Sequence, residues 1–228
     1  MKKLLLSLAF LGPTTLLAQS GFDGVWRINL DNTQLLAKDN YSLQDGVFKC
    51  STCDPKVDAK ADGQDHPLGG SPYFDAASVR VVDDRTVEIV NKKSGKVSNS
   101  VKLFASQDGK TLTTEFSNVT ETGENVKGKY TSTRVDAAPG SAHKISGVWQ
   151  PGKLESLSDN AMEVTYKATG DGLSFSDKAG NSYTARFDGK DYPYKGDPGI
   201  RPLPFGRSTP EQSKKRTSAM GRWSGSVG

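Results

Sequence analysis

Residues 50–72 read CSTCDPKVDAKADGQDHPLGGSP and residues 176–198 read SDKAGNSYTARFDGKDYPYKGDP, so one string, D-G-x-D-[H/Y]-P-x-x-G-x-P, stands at Asp62–Pro72 and again at Asp188–Pro198. The copies lie 126 positions apart, and Asp45-Gly46 falls on Asp171-Gly172 at the same spacing. With a small change of offset, Phe22-Asp-Gly-Val-Trp26 falls on Ile145-Ser-Gly-Val-Trp149. The chain therefore carries an internal repeat of about 123 to 126 residues, with starts near residues 21 and 144. A linker rich in small residues, Asp136-Ala-Ala-Pro-Gly-Ser-Ala142, precedes the second start, as expected of a joint between units.

Outward from this string the hydrophobic period is two. Val79-Arg-Val-Val-Asp83, Thr86-Val-Glu-Ile-Val90, Val101-Lys-Leu-Phe104, Thr111-Leu-Thr-Thr-Glu-Phe116, Met162-Glu-Val-Thr-Tyr166 and Ser182-Tyr-Thr-Ala-Arg-Phe187 are short, alternating and β-branched. Asp45-Gly46, Asp62-Gly63, Ser94-Gly95, Asp108-Gly109, Asp171-Gly172 and Asp188-Gly189 punctuate them, with Gly free to take the positive φ that tight hairpin turns need. Many short antiparallel strands at close spacing predict an all-β fold, a sandwich or barrel in each repeat. The first repeat spans residues 19–140 and the second, partial one residues 144–200.

Residues 1–18 read as an export signal: Lys2 and Lys3, an apolar stretch from Leu4 to Leu17, and Ala18 at the cleavage position. The expected location is periplasmic or secreted. No other segment reaches the ~20 apolar residues of a membrane span. The formal charge is +4, but two lysines lie in residues 1–18, and six Lys or Arg against Glu211 lie in residues 201–228. What remains has a net charge of −3, and no basic cluster interleaved with aromatics offers a nucleic-acid platform.

The D-G-x-D-[H/Y]-P string itself reads as a strand-exit turn. Asp62, Gly63, Asp65, His66 and Pro67 match Asp188, Gly189, Asp191, Tyr192 and Pro193. Asp-Gly and Pro are what such an exit requires. The carboxylates lack the 12-residue ligand order of a calcium loop, and Tyr192 replaces His66, so neither metal binding nor histidine catalysis is expected. Cys50 and Cys53 sit beside a turn, with Asp54-Pro55 leading into strand rather than helix. In an oxidising envelope this favours a local disulfide over a redox C-x-x-C, which opens a helix that lowers the thiol pKa; free thiols or metal stay as alternatives.

Gly24 and Trp26 open the first predicted strand, Gly147 and Trp149 repeat them, and Arg134 lies on the last strand of the first unit. This constellation resembles the lipocalin and fatty-acid-binding (calycin) barrels, in which a G-x-W closes the barrel floor and an arginine of the final strand stacks on the tryptophan. The resemblance implies that Arg134 meets Trp26 within the first repeat. It also implies a barrel of about eight strands with room for one small lipophilic ligand.

Of two histidines, His66 lies in the repeated turn and His143 in the linker before the second unit. No G-x-S-x-G, H-E-x-x-H, phosphate-binding or dinucleotide motif occurs, and no cofactor or oligomeric state is implied. The reading is an exported barrel-like protein that binds a small lipophile, leaning against an enzyme. A ligand-free envelope structural or interaction module stays open, as does a thiol-dependent enzyme using Cys50 and Cys53.

After Ile200 the alternation ends, and residues 201–228 read as a disordered basic tail. Back-translated and read one base earlier, the tail permits a sequence identical to residues 79–97 at ten of nineteen positions. The first base of each shifted codon is partly free to choose, which favours a match. The middle base is fixed by the codon actually read, and it largely sets polarity. A one-base frameshift near codon 200 is the expectation that follows, and the lost period supports it.

Overall fold

The computed structural model describes residues 21, 23–137, 140, 142–200 and 203–204. The expected export signal, residues 1–18, and nearly all of the expected basic tail, residues 201–228, lie outside the described residues. Among them the chain is all-β. β1 (Gly24–Arg27) and a 3-10 turn (Leu30–Asn32) precede β2 (Asp39–Gln44), β3 (Val47–Cys50), β4 (Val57–Lys60) and β5 (Asp62–Pro67). The longer strands follow: β6 (Ala76–Val81), β7 (Thr86–Lys93), β8 (Lys96–Ala105), β9 (Thr111–Val119), β10 (Asn125–Ala137) and β11 (Gly147–Leu157). One helical turn, α1 (Asp159–Met162), leads to β12 (Glu163–Ala168), β13 (Gly172–Asp177), β14 (Ser182–Arg186), β15 (Asp191–Tyr192) and β16 (Leu203–Pro204).

Ten strands form one antiparallel sheet in the order β4-β3-β2-β11-β10-β9-β8-β7-β6-β5. Its two end strands are separated in the chain by Ala61 alone, so residues 57–67 act as one kinked strand, pairing β3 with the first half and β6 with the second. The sheet thereby comes round into a nearly closed barrel. Alternation decides most of what fills it: Phe48, Val79, Leu103, Leu112 and Trp149 are fully buried and their sequence neighbours turn outward, while Val87 and Ile145 are fully buried beside Thr86 and Ser146, which are buried too. Strands β2 to β4 have four to six residues and β7 to β10 have eight to thirteen, giving one low wall and one tall wall.

Outside the tall wall, cross-strand pairing aligns Arg80, Glu88, Lys102, Glu115 and Lys129 in one row of alternating charge. Glu155 extends it, 4.0 Å from Lys129. Exposed pairs of this kind are worth roughly 0.2–1 kcal/mol each, but a one-residue slip would break every one of them, so the row favours a single register. A shallow groove of about 710 Å³ crosses this outer face between that row and Val90, Ser100, Ser117, Lys127 and Ser158.

The strand that closes the barrel belongs to the second repeat. β11 pairs β10 on one side and β2 on the other, with Gly147 opposite Tyr41 and Trp149 opposite Asp39. The first repeat's own G-x-W strand, β1, lies instead in a second sheet, β1-β12-β13-β14, with Gly24 opposite Tyr166 and Trp26 opposite Val164. The two pairings match at a spacing of 125, from Tyr41 to Tyr166, so the G-x-W strands have exchanged places in the same register. The repeat boundaries in sequence are therefore not the boundaries of the barrel in space.

Beyond β14 the repeat continues in miniature. Asp191 pairs Pro204 and Tyr192 pairs Leu203, reproducing at a spacing of 126 the pairs Asp65–Ser78 and His66–Ala77. The pairing thus persists to Pro204, a little past the point where the alternation fails in sequence. Asp171-Gly172, expected to be a turn pair like Asp45-Gly46, is not one. Asp45 and Gly46 have φ of 53° and 73°, but in the second copy the positive φ falls on Gly170, at 68°. Gly172 lies inside β13, where a Cβ would come within 2.0 Å of the Ala185 carbonyl oxygen, so close strand approach fixes that glycine.

Candidate functional site

The barrel floor is built from the linker and the exchanged strand. The Ser146 Oγ accepts from the Leu43 amide at 2.8 Å, and His143 Nε2 donates to the Asp83 carbonyl at 2.6 Å while its Nδ1 accepts from the Ile145 amide at 3.3 Å. These contacts hold Ile145 as a plug with no exposed surface. Above it the Arg134 guanidinium lies 4.0 Å from the Trp149 ring centroid. It donates to the carbonyls of Gly109 (2.5 Å), Lys144 (2.6 Å) and Ser146. Trp149 Nε1 donates to the Ile145 carbonyl at 2.8 Å. Burial pushes the Arg134 pKa down from its ordinary value. The expected cation–π closure is present, but its tryptophan is Trp149 and not Trp26. The reason is connectivity: β10 leads through a short linker straight into β11, the nearest strand able to lie antiparallel to it.

Higher on the inner face, polar groups appear at positions whose alternation demands burial. Along β7 to β9 the inward rows run Val87–Leu103–Thr114, then Ile89–Val101–Phe116, then Asn91–Asn99–Asn118. Asn91 Nδ2 donates to Asn99 Oδ1 at 2.8 Å and Asn99 Nδ2 to Asn118 Oδ1, leaving the buried Asn91 Oδ1 with no partner. Lower down, level with Leu112 in the floor, the Ser132 Oγ is wholly enclosed and also unpartnered. Between the polar rows the Phe116 ring lies over Gly128, where a Cβ would come within 2.3 Å of it.

Tyr130 donates from its hydroxyl to Asp39 Oδ2 at 3.4 Å, and Tyr41 stands on the same carboxyl. Thr114 is close enough to act on the ionisation of Tyr130, yet its Oγ1 finds no partner of hydrogen-bond geometry. Burial is the main influence on Asp39 and raises its pKa from 3.8 to about 6, against the lowering effect of the two tyrosines. Burial pushes Tyr41 and Tyr130 up, and the Asp39 charge adds to it.

The unfolded chain releases the Asp39 proton first, so stability should fall as pH rises from about 4 to 6 and stay lower above that. The linkage is worth at most about 3 kcal/mol. Asp39→Asn should therefore stabilise the protein above pH 6 by about 2 kcal/mol and leave it unchanged near pH 4, as read by urea unfolding across that range.

The repeated string, expected to be a strand-exit turn, differs between its copies: Asp62–Pro67 is strand β5 with a bulge between Asp62 and Asp65, because the kinked strand carries straight on to pair β6, whereas Asp188-Gly189 turns after β14. Asp62 Oδ1 accepts from the Gln64 amide at 2.9 Å and lies 2.8 Å from His66 Nε2; Gly63 has φ +78°. Asp188 accepts from the Lys190 amide and from the Tyr192 hydroxyl, both at 3.0 Å, with Gly189 at φ +77°. His66 and Tyr192 do the same work, bonding back to the leading aspartate, whose pKa is lowered in both copies. Asp65 meets Lys92 at 2.7 Å, while Pro67 and Asp191 sit in the strand pairing and Pro193 follows Tyr192. Among the described residues no group of three or more His, Cys, Asp or Glu side chains is arranged to hold a metal ion.

Cys50 and Cys53 are joined as a disulfide, with Cα atoms 5.4 Å apart. Cys50 faces the core between Tyr41 and Val57, only 1% exposed, and strand β4 follows the loop. A buried sulfur with no helix N-terminus beside it suits a staple better than thiol chemistry. No helix among the described residues is long and apolar enough to cross a membrane.

Among the described residues the interior is thus where unpartnered polar groups, a raised carboxyl and apolar surface meet; along the outer groove Arg80 pairs with Glu88 and Lys129 with Glu155. Comparison of the chain with protein families, with curated proteins and with solved structures gives no match.

Proposed function

We propose that the protein is an exported, lipocalin-like binding barrel whose upper interior takes a small ligand with a lipophilic body and a hydrogen-bonding head. The observation that carries this reading is the buried unpartnered Asn91 Oδ1 on the inner wall, at the end of the asparagine row. An orphaned buried polar atom costs about 1–3 kcal/mol, which a ligand or an ordered water donating to it recovers. Ile89, Val101 and Phe116 lie between the polar rows and supply the apolar stretch for the ligand body. Export is supported by the charge-then-apolar layout of residues 1–18 and by the disulfide, which persists in oxidising compartments.

A fluorescent lipophile, N-phenyl-1-naphthylamine, should bind saturably to the purified protein. Val101→Phe, which adds bulk on the inner wall, should weaken it by at least about tenfold while the melting transition stays cooperative. A second reading, a ligand-free envelope interaction module, is favoured by the floor, where Leu103, Ala105, Leu112 and Trp149 leave no exposed surface. Absence of any saturable site would overturn the binding reading in favour of that one.

A further inference from the structure

Asp39 is a carboxyl group of the inner wall with no cation to match it. It opens β2 and shares the parity of Tyr41 and Leu43, which face the core. Around it the fold gathers hydroxyls: Tyr41 comes from its own strand and Tyr130 from β10, while the residue opposite on β11 is Trp149. Arg134 lies beyond that tryptophan and spends its donors on three carbonyls. Among the described residues no Lys, Arg or His acts on the ionisation of Asp39.

A second unmet group stands beside this cluster. Thr114 pairs Tyr130 across β9 and β10 and is only 3% exposed, yet its Oγ1 has no partner. Asn91 Oδ1, also unpartnered, can only accept. What the inner wall lacks is therefore a donor that carries positive charge.

We infer that Asp39, with Tyr41, Tyr130 and Thr114, receives the protonated amine of a ligand whose body is lipophilic. An ammonium brings one positive charge and three N–H donors, so it can meet the carboxylate and a hydroxyl oxygen together. Tyrosine rings suit a cation as well. A carboxylate head would set two anions side by side, and an alcohol would leave the Asp39 charge unmatched. A metal ion is a poorer fit, since no group of three His, Cys, Asp or Glu is arranged to hold one among the described residues. The site is the interior proposed above for a lipophile, and it rests on that reading; what it adds is the charge of the head group.

Binding of this kind needs the ionised carboxyl, and burial raises the Asp39 pKa to about 6. Tyr41 and Tyr130, the titratable groups that face it, stay neutral throughout that range because burial pushes both up. Amine binding should therefore weaken about tenfold from about pH 7.5 to about pH 5.

Calorimetry on the full chain at about pH 7.5 compares three probes with one body: decylamine, 1-decanol and decanoate. Decylamine should bind at least about tenfold more tightly than either of the others. Asp39→Asn should remove both that preference and the pH dependence, and it is expected to fold, since the buried charge it removes costs stability. Equal binding of the three probes, a preference that survives Asp39→Asn, or no weakening at about pH 5 would overturn the inference, while saturable N-phenyl-1-naphthylamine binding would still support the interior as a ligand site. Failure of that dye and of all three probes to bind would overturn both.

Discussion

Trp149→Ala should destabilise the protein by about 3–5 kcal/mol, enough to leave much of the population unfolded, while Trp26→Ala should cost about 1 kcal/mol. The two tryptophans occupy the same position of the same repeated motif, so sequence alone predicts equal effects. Their surroundings differ. Trp149 has no exposed surface, packs under Arg134 and fills the floor between β10 and β2. Removing it leaves a cavity the size of an indole, lined by groups held in place by the sheet, and strands the arginine above it. Trp26 is 48% exposed on an end strand, so its truncation removes roughly half as much buried area and opens no enclosed void. Chemical unfolding of the two variants measures the difference; similar losses would contradict the exchanged closure.

Arg134→Ala should cost about 3–5 kcal/mol, the second large effect. The guanidinium joins three backbone carbonyls, of Gly109, Lys144 and Ser146, which belong to the β8–β9 turn and the linker. Hydrogen bonds to a charged donor are each worth about 1.5–3 kcal/mol, and the stacking over Trp149 adds up to about 2. These contributions do not sum, because part of the site can relax and admit water. Arg134→Lys should recover less than half of the loss: an ammonium is a point donor and cannot span three carbonyls while covering a ring face. The measurement is urea unfolding with tryptophan emission as the probe, where Arg134→Ala should also shift the native emission to longer wavelength as water reaches Trp149.

Much of this fold could be read from the chain. The alternation in Thr86-Val-Glu-Ile-Val90 and Thr111-Leu-Thr-Thr-Glu-Phe116 places β7 and β9, and the repeated Asp-Gly string marks the exits of β4 and β14. The partner of each G-x-W strand could not be read this way, because the two motifs carry the same local information. Connectivity chooses between them: Trp149 follows β10 after a short linker, whereas Trp26 lies more than 100 residues before Arg134. The interior polar rows left a signal that motif searching passes over. Asn91 shares the parity of Val87 and Ile89, and Asn99 that of Val101 and Leu103, so each is a polar residue where the pattern asks for an apolar one. Asp39 had no such marker. Its raised pKa comes from burial, which only the closed sheet provides, and the closure also brings Tyr130 beside it, where that hydroxyl and Tyr41 hold the pKa down.

The central claim, that the second repeat's strand closes the first repeat's barrel, is tested most directly by cross-linking. Asn40 lies opposite Val148 in the pairing of β2 with β11, and the Asn40 backbone bonds toward Ser51 and Thr52 rather than toward β11. Such non-hydrogen-bonded pairs bring Cβ atoms close enough for a disulfide. The protein with Asn40→Cys and Val148→Cys should oxidise to an additional intramolecular disulfide in the monomer, located by peptide mapping. The protein with Asn40→Cys and Val25→Cys should not. The opposite result, a bond to residue 25 and none to residue 148, would show that each repeat closes on its own first strand and would contradict the exchange.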